Sequence, residues 1–326
     1  MTTPNQTMPY TYEQVLKCKD ITEQLIKKDY KSLCDFKADT NPRKFCGNKI
    51  LYHYQFKNIL ACKRGNKGWK TLEEWFADPE LKEKLWKDTI QRNRRDKAPV
   101  PSPTDVYECH RINNGSIVFF KSSTAKYIYK KFNAKNVLDP TAGWGGRMLA
   151  AMSLGINYTG YDTNINMREA YSNMVRVDNA DKNVLETPHT IQAVNKKGGV
   201  SRMVWLSCID GATDFSKNMI GQKYDLVLTS PPYGNMELYE HMEAWKTDND
   251  YFTEFLVPLM NKLFAETSCP ICINISPRIY HKLTSALNNY GIRACDEEVD
   301  LRQQLGKQFK SKSQDLIYVW HQEKSI

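Results

Sequence analysis

No stretch of the 326-residue chain approaches the roughly 20 consecutive apolar residues that cross a bilayer. Met1 to Tyr10 is polar and lacks the apolar centre of a secretory signal. The nine cysteines are odd in number and scattered without a regular frame. That excludes a secreted disulfide scaffold and points to a reducing, intracellular compartment. One Cys-x-x-Cys, Cys269 to Cys272, has no second copy and runs into Ile273-Asn274-Ile275, so it reads as a buried strand and not a zinc or redox site. Cys46, His53 and Cys62 read as core packing, and no metal is expected. A dinucleotide fingerprint, G-x-G-x-x-G, is also missing: the glycine-rich turn reads Gly143-Trp144-Gly145-Gly146-Arg147. Internal repeats and low-complexity tracts are absent.

What remains is 41% apolar and 25% charged, the balance of a globular protein with a sizeable core. The net charge of +9 favours an anionic partner, although a lysine-rich enzyme of any kind can carry it. Three prolines within Ala98 to Pro103 break the chain, because proline cannot continue a helix and favours extended backbone. Residues 1–104 read as a helical, basic N-terminal region. Thr71 and Glu74 form a capping box, and Pro79 opens a further helix. Arg92, Arg94, Arg95 and Lys97 end that helix, and Lys63, Arg64, Lys67 and Lys70 lie in the same half. They form a candidate phosphate-binding patch or a solvated helix end. Tyr10, Tyr12, Tyr30, Tyr52, Tyr54 and Trp69 either contact nucleic acid or fill a small helical core.

Residues 105–326 alternate between strands and helices. Strands are expected at Asn136 to Asp139, Tyr158 to Asp162, Val204 to Ile209, Tyr224 to Thr229, Ile271 to Ile275, Ile292 to Val299 and Leu316 to Trp320. Helices are expected at Gly146 to Leu154, Asn164 to Val177, Tyr251 to Ala265 and Pro277 to Asn289. Residues 179–202 read as a surface loop. This rhythm specifies a doubly wound α/β sheet. In such sheets ligands bind beyond the carboxyl ends of the strands. There the first strand runs through Asp139-Pro140-Thr141-Ala142 into Gly143 and Gly145, which let a ligand approach the backbone. Asp162 ends the next strand, where a carboxylate can accept from ribose hydroxyls.

Leu226-Val227-Leu228-Thr229 then runs into Ser230-Pro231-Pro232-Tyr233-Gly234. Two prolines make a stiff loop at the same sheet edge, and an aromatic there can offer its face to a base. The Asp-Pro-Thr-Ala-Gly-Trp-Gly-Gly stretch resembles the Asp-Pro-Phe-x-Gly-x-Gly motif of amino-methyltransferases that use S-adenosylmethionine. Ser-Pro-Pro-Tyr resembles their Asp/Asn/Ser-Pro-Pro-aromatic motif. The resemblance covers about Tyr107 to Trp320. It implies a Rossmann-like sheet of seven strands, one of them antiparallel. It also implies that the glycine loop passes the methionine part of the cofactor, that Phe120 and Lys121 belong to an upstream motif covering that end, and that Asp210 pairs with the adenine amino group. Thr141 departs from the motif's Phe.

The same resemblance assigns the Ser230 side chain and the Pro231 carbonyl as acceptors for the two N–H groups of an exocyclic amine. Tyr233 would stack on the base. A lone pair delocalised into a ring is a poor nucleophile, and such acceptors expose it. The base must leave its helix to reach the site. No cysteine follows the prolines, which weighs against a covalent route to carbon-5 cytosine methylation. Within the family, serine before the prolines occurs mainly in N4-cytosine enzymes, so the expected activity is N4-cytosine methylation of DNA. The alternatives are N6-adenine methylation of DNA or RNA, methylation of a protein glutamine amide, and a non-catalytic nucleic-acid-binding module. Asn in place of Ser230 would favour the glutamine enzymes, and loss of cofactor binding would mark the module. Tyr239, His241, Trp245 and Tyr251 are candidates to wall the base pocket. Lys307, Lys310 and Lys312 are candidates to meet phosphates.

Overall fold

The computed structural model describes residues 7–38, 44–63, 70–96, 100–115, 117–178, 184–236, 238–239, 242–301 and 316–322; side chains of 94–96 are outside that set. Among the described residues the first six α-helices are α1 (Tyr12–Leu16), α2 (Glu23–Asp35), α3 (Asn48–Leu60), α4 (Leu72–Ala77), α5 (Pro79–Asp96) and α6 (Pro103–Asn114). The expected capping box is present at α4, where Thr71 and Glu74 satisfy each other's orphan backbone N–H groups. Ser102 and Asp105 do the same for α6, whose first residue is Pro103. The last proline of the break therefore starts a helix instead of extending a linker.

After α7 (Ser122–Lys131) come β1 (Asn136–Asp139), α8 (Gly146–Leu154), β2 (Asn157–Tyr161) and α9 (Arg168–Val175). Then follow β3 (Val184–Thr187), β4 (Thr190–Val194), β5 (Val200–Val204) and β6 (Leu226–Thr229). The end of the chain holds α10 (Asp248–Asp250), a π-helical turn (Tyr251–Leu256), α11 (Val257–Glu266), β7 (Ile271–Asn274), α12 (Pro277–Thr284), β8 (Glu297–Asp300) and β9 (Leu316–Trp320).

Nine strands among the described residues form one sheet in the order β3-β4-β5-β2-β1-β6-β7-β9-β8. The inner part is the Rossmann-like sheet expected from the sequence: β5, β2, β1, β6 and β7 are parallel, and β9 runs against both β7 and β8. Two further strands change the expected count of seven. The β3–β4 hairpin lies within residues 179–202, where a surface loop was expected, and β4 pairs antiparallel with β5. The third core strand is accordingly Val200–Val204 and not Val204 to Ile209. Three further elements are shorter than expected: α9 follows a short 3-10 turn at Ile165–Met167, α12 ends at Thr284, and β8 starts at Glu297.

Apolar burial holds the layers together. Ile26, Leu33, Ile50 and Leu51 from α2 and α3 share one cluster with Val137, Met148, Ala151, Tyr171 and Leu226. The helical N-terminal region thus covers the α8 and α9 face of the sheet. A second cluster, with Phe56, Trp75, Leu85, Trp86 and Tyr107, lies within the N-terminal helices themselves. Leu138, Val227, Leu256, Leu263, Ile273 and Trp320 fill the opposite face of the sheet. Cys269 and Cys272 are buried and free, and no group of three or more His, Cys, Asp or Glu among the described residues is arranged to hold a metal. No helix of the described residues is long and apolar enough to cross a membrane.

Candidate active site

The carboxyl ends of β1, β2 and β6 open on one cleft of about 530 Å³. That lies within the roughly 300–1,000 Å³ usual for cofactor sites. Pro140, Thr141, Gly143 and Trp144 line it from the glycine loop, Asp162 and Asn164 from the end of β2, and Ser230 and Pro232 from the loop after β6. Ser207 and Cys208 close one side, and Trp245, Glu254 and Phe255 the other.

The glycine loop is shaped by its backbone. Gly143 and Gly145 have φ of +58° and +87°, a region that side chains disfavour. A Cβ at Gly145 would also lie 2.6 Å from Met174 Cε, a flexible side-chain end that can shift, so the positive φ is what requires glycine there. The Gly143 amide donates to Asp162 Oδ2 at 2.8 Å, and the Asn164 amide donates to Oδ1 at 2.9 Å. Burial nevertheless pushes the Asp162 carboxyl up to about 6, against the pull of those two amides. The Tyr171 hydroxyl donates to the Gly143 carbonyl at 2.7 Å, and α3 supports the loop through Gln55, whose Nε2 donates to the Trp144 carbonyl at 3.4 Å.

Asp139 does not line the cleft. Its buried carboxylate accepts from Arg147 Nε at 2.6 Å and Nη2 at 3.1 Å, from the Tyr158 hydroxyl at 2.7 Å and from Thr229 Oγ1 at 3.0 Å. Burial works against the Arg147 charge, but Asp139 more than compensates, and the guanidinium lies above its ordinary value. Arg147 also donates to the Thr141 carbonyl. Asp139 therefore acts on the loop through Arg147 and Thr229. Ala142 is buried, and its amide donates to the Tyr161 carbonyl at 2.8 Å.

In the loop after β6, Ser230 Oγ lies 3.4 Å from Asn274 Oδ1, and the Tyr233 hydroxyl lies 3.0 Å from the same oxygen. The Tyr251 hydroxyl donates to the Pro232 carbonyl at 2.8 Å. Asn235 then grips the backbone of Trp245 from both sides, donating to its carbonyl at 2.7 Å and accepting from its amide at 2.9 Å. Pro231 is buried, and neither it nor Tyr233 lines the cleft.

Not every residue singled out in the sequence converges here. Asp210 is exposed in a turn six residues beyond β5, where its carboxylate accepts from the Ala212 amide at 2.9 Å; Ser207 and Cys208 reach the cleft instead. Phe120 and Lys121 also stay outside the lining: the Phe120 ring packs against the Arg147 guanidinium at 5.3 Å and Lys121 Nζ lies over Phe45 at 4.2 Å. Tyr239 and Trp245 line the cleft, with Tyr239 edge-on to Trp144 at 5.7 Å, whereas Tyr251 is buried behind Pro232. His241, Trp69, Arg64, Lys67, Lys97, Lys307, Lys310 and Lys312 lie outside the described residues, as do the side chains of Arg94 and Arg95. Lys63 pairs with Glu74 at 2.7 Å and Lys70 with Asp78 at 3.1 Å. Tyr10, Tyr12 and Tyr52 pack edge-on within the helical layer, and Tyr30 is buried.

Thr229, Asn274 and Asn235 were missed in the sequence. The available signal was position: each is a polar residue at, or just beyond, the end of a strand leading to the cleft.

No family model matches the chain, and no curated protein matches it. Among solved structures it is similar to a SAM-dependent methyltransferase from Neisseria gonorrhoeae, at 13% identity over 64% of this chain and 76% of that one, with a TM-score of 0.37. It is also similar to the 16S rRNA methylase RmtB, at 12% identity over 77% and 97% of the two chains, TM-score 0.30. A third is an antibiotic-related methyltransferase, at 15% identity over 63% and 96%, TM-score 0.31. Likenesses this distant do not bear on what the chain does; its own strand order and cleft carry the conclusion.

Proposed function

We propose that the chain is an S-adenosylmethionine-dependent methyltransferase acting on the exocyclic amino group of a DNA base, cytosine N4 before adenine N6. The observation that carries this reading is the meeting of two loops at one cleft. The glycine loop with Asp162 and the Ser-Pro-Pro loop end side by side, fastened by Thr141 and Thr229.

Three features of the cleft support the cofactor reading. A Cβ at Gly143 would meet nothing closer than the Thr141 carbonyl at 3.9 Å, so that face of the loop is open to a ligand. Asp162 stands where ribose hydroxyls would donate. The lining carries Asp162, Glu243, Asp250 and Glu254 against Lys246, a field that favours a cationic ligand. When bound, S-adenosylmethionine supplies an electrophilic methyl group, whose transfer to an amino nitrogen leaves the demethylated cofactor and one proton. Pro140, Thr141, Gly143 and Asp162 would hold it. Ser230 Oγ would accept an N–H group of the base from the cleft lining, whereas the Pro231 carbonyl and Tyr233, to which the resemblance gives the second N–H and the ring, stand behind that lining. Prolines on both sides of the Pro231 carbonyl carbon–nitrogen linkage keep these acceptors in fixed positions, which is where such a site gains rate.

The N-terminal region, residues 1–104, is proposed to recognise the DNA. A short antiparallel bridge supports this: the Lys63 amide donates to the Leu238 carbonyl at 3.0 Å and the Leu238 amide to the Lys63 carbonyl at 2.7 Å, joining this region to the chain just after Ser-Pro-Pro-Tyr.

The test is incubation with methyl-labelled cofactor and unmethylated genomic DNA, digestion to nucleosides and mass spectrometry, beside Ser230→Ala. Label in N4-methylcytosine that the variant loses is the expected result. Label in N6-methyladenine would correct the base. Label in RNA or protein alone would replace DNA as the substrate.

A further inference from the structure

A hydroxyl is both donor and acceptor, whereas the role proposed for Ser230 uses only its lone pairs. Its hydrogen must therefore go elsewhere, or it will point at the amine and compete with the N–H groups that should be received. The other residues the family motif allows at this position, Asp and Asn, present an oxygen that carries no hydrogen. A serine needs a neighbour that removes this ambiguity.

That neighbour is on β7. Asn274 is the last residue of the strand and is nearly buried, with 9% of its surface exposed. Its Nδ2 donates to the Leu316 carbonyl on β9 at 2.8 Å. This fixes which way the amide faces, and leaves Oδ1 turned towards the loop after β6. A carbonyl oxygen has two acceptor positions. Ser230 Oγ at 3.4 Å and the Tyr233 hydroxyl at 3.0 Å approach them, the latter lying also 3.3 Å from the Asn274 backbone carbonyl. The amide is uncharged and cannot itself take the proton, so it orients the hydroxyl without acting as a base.

We infer that Asn274 is a positioning residue of the methyl-transfer site: its Oδ1 takes the hydroxyl hydrogens of Ser230 and Tyr233, so that Ser230 presents only lone pairs to the acceptor amine. This rests on the proposed amino-methyltransferase activity. It also accounts for the Tyr233 hydroxyl, which has no part in stacking but shares the same oxygen.

Two substitutions separate orientation from support of the fold. Asn274→Leu keeps the bulk and removes both the acceptor and the β9 tie. Asn274→Asp keeps an acceptor oxygen towards the loop and replaces the donor to Leu316 by a second oxygen, which is charged when ionised. Each is measured for cofactor affinity by calorimetry and for kcat and KM with DNA. Asn274→Leu should bind cofactor as the wild type does, because Asn274 does not line the cleft, while kcat falls about tenfold or more, the loss of one oriented hydrogen bond. Asn274→Asp should keep kcat within about threefold of the wild type. Equal losses in both variants would assign Asn274 to the strand tie and overturn the inference, as would unchanged kcat in Asn274→Leu. If the leucine variant fails to bind cofactor, Asn274→Asp alone decides: a kcat loss of about tenfold or more with cofactor bound overturns the inference. A wild-type protein that binds cofactor and methylates no base contradicts the proposed function itself, an outcome distinct from these.

Discussion

Thr141 and Thr229 share a hydrogen bond of 2.6 Å between their hydroxyls, joining the end of β1 to the end of β6. The Thr141 amide also donates to Thr229 Oγ1, at 3.2 Å, and Thr229 in turn donates to the buried Asp139 at 3.0 Å. The glycine loop and the Ser-Pro-Pro loop are thus set relative to each other by two side chains that precede the residues expected to do the chemistry. Where the resembling motif has Phe, this chain has the threonine that makes the clasp.

Thr229→Val should therefore act at both loops. It unpairs Thr141 and removes one donor from Asp139, a loss of about 1–3 kcal/mol in a buried setting. Urea unfolding should show that loss, and calorimetry should show weaker cofactor binding. Unchanged unfolding and unchanged affinity together would mean that the clasp sets neither.

Arg147→Met leaves the Asp139 carboxylate buried and short of two donors. Breaking one side of a buried pair costs about 3–5 kcal/mol. The expected result is a marked drop in the urea midpoint or an insoluble protein. A change below about 1 kcal/mol, the size found for surface pairs, would contradict the role given to this pair.

Cofactor binding should depend on the ionisation of Asp162. In the proposed site ribose hydroxyls would donate to the charged carboxylate, and burial holds that carboxyl up at about 6. Affinity should rise as pH increases from 5 to 7, with the inflection close to 6, and Asp162→Asn should flatten the curve while lowering affinity at pH 7. The free protein carries the opposite trend. Because the folded state holds this proton more tightly than an unfolded chain does, the Asp162 contribution to stability is complete below about pH 4 and is lost as pH rises to about 6.

His110 predicts acid sensitivity. Burial among the N-terminal helices, edge-on to Trp75 at 5.7 Å, pulls its imidazole down to about 4. The unfolded chain binds a proton near 6.5, so the stability from keeping His110 neutral is complete above that pH and is lost as pH falls towards 4. Urea midpoints at pH 7, 6 and 5 should fall in step, and His110→Gln should remove part of that slope. An equal slope in the variant would assign the acid sensitivity to other groups.

Much of this was legible in the sequence where glycine and proline punctuate apolar runs. β1, α8 and β9 coincide with their expected bounds, since Asp139-Pro140 ends one strand, Gly145 and Gly155 bracket the helix, and Leu316 to Trp320 is apolar throughout. The β3–β4 hairpin was not legible. Its outer strand, Val184–Thr187, is mostly exposed and carries Leu-Glu-Thr without an apolar alternation. Missing it moved the third core strand four residues along the chain, and that shift put Asp210 at a strand end where the fold has a surface turn.

The site was legible to the extent that chemistry leaves a local motif. Gly143, Asp162, Ser230 and Pro232 meet at the cleft as the spacing implied. Asp139 lies one layer deeper, because an apolar strand ending in Asp has the same pattern whether the carboxylate faces a ligand or a buried arginine. Asn274 could be read only as a polar residue at a strand end: it lies 44 residues from Ser230, and only the sheet order brings them together.

The most direct test of the account is to separate the two ends of the cleft with Ser230→Ala. The wild type and the variant are compared for cofactor affinity by calorimetry and for methyl transfer to DNA from labelled S-adenosylmethionine. The account predicts equal affinity and a loss of transfer of about 10²-fold or more, because the role proposed for Ser230 is towards the acceptor and not the cofactor. Transfer by the variant at the wild-type rate, or a wild type that binds cofactor and labels no DNA, would contradict it.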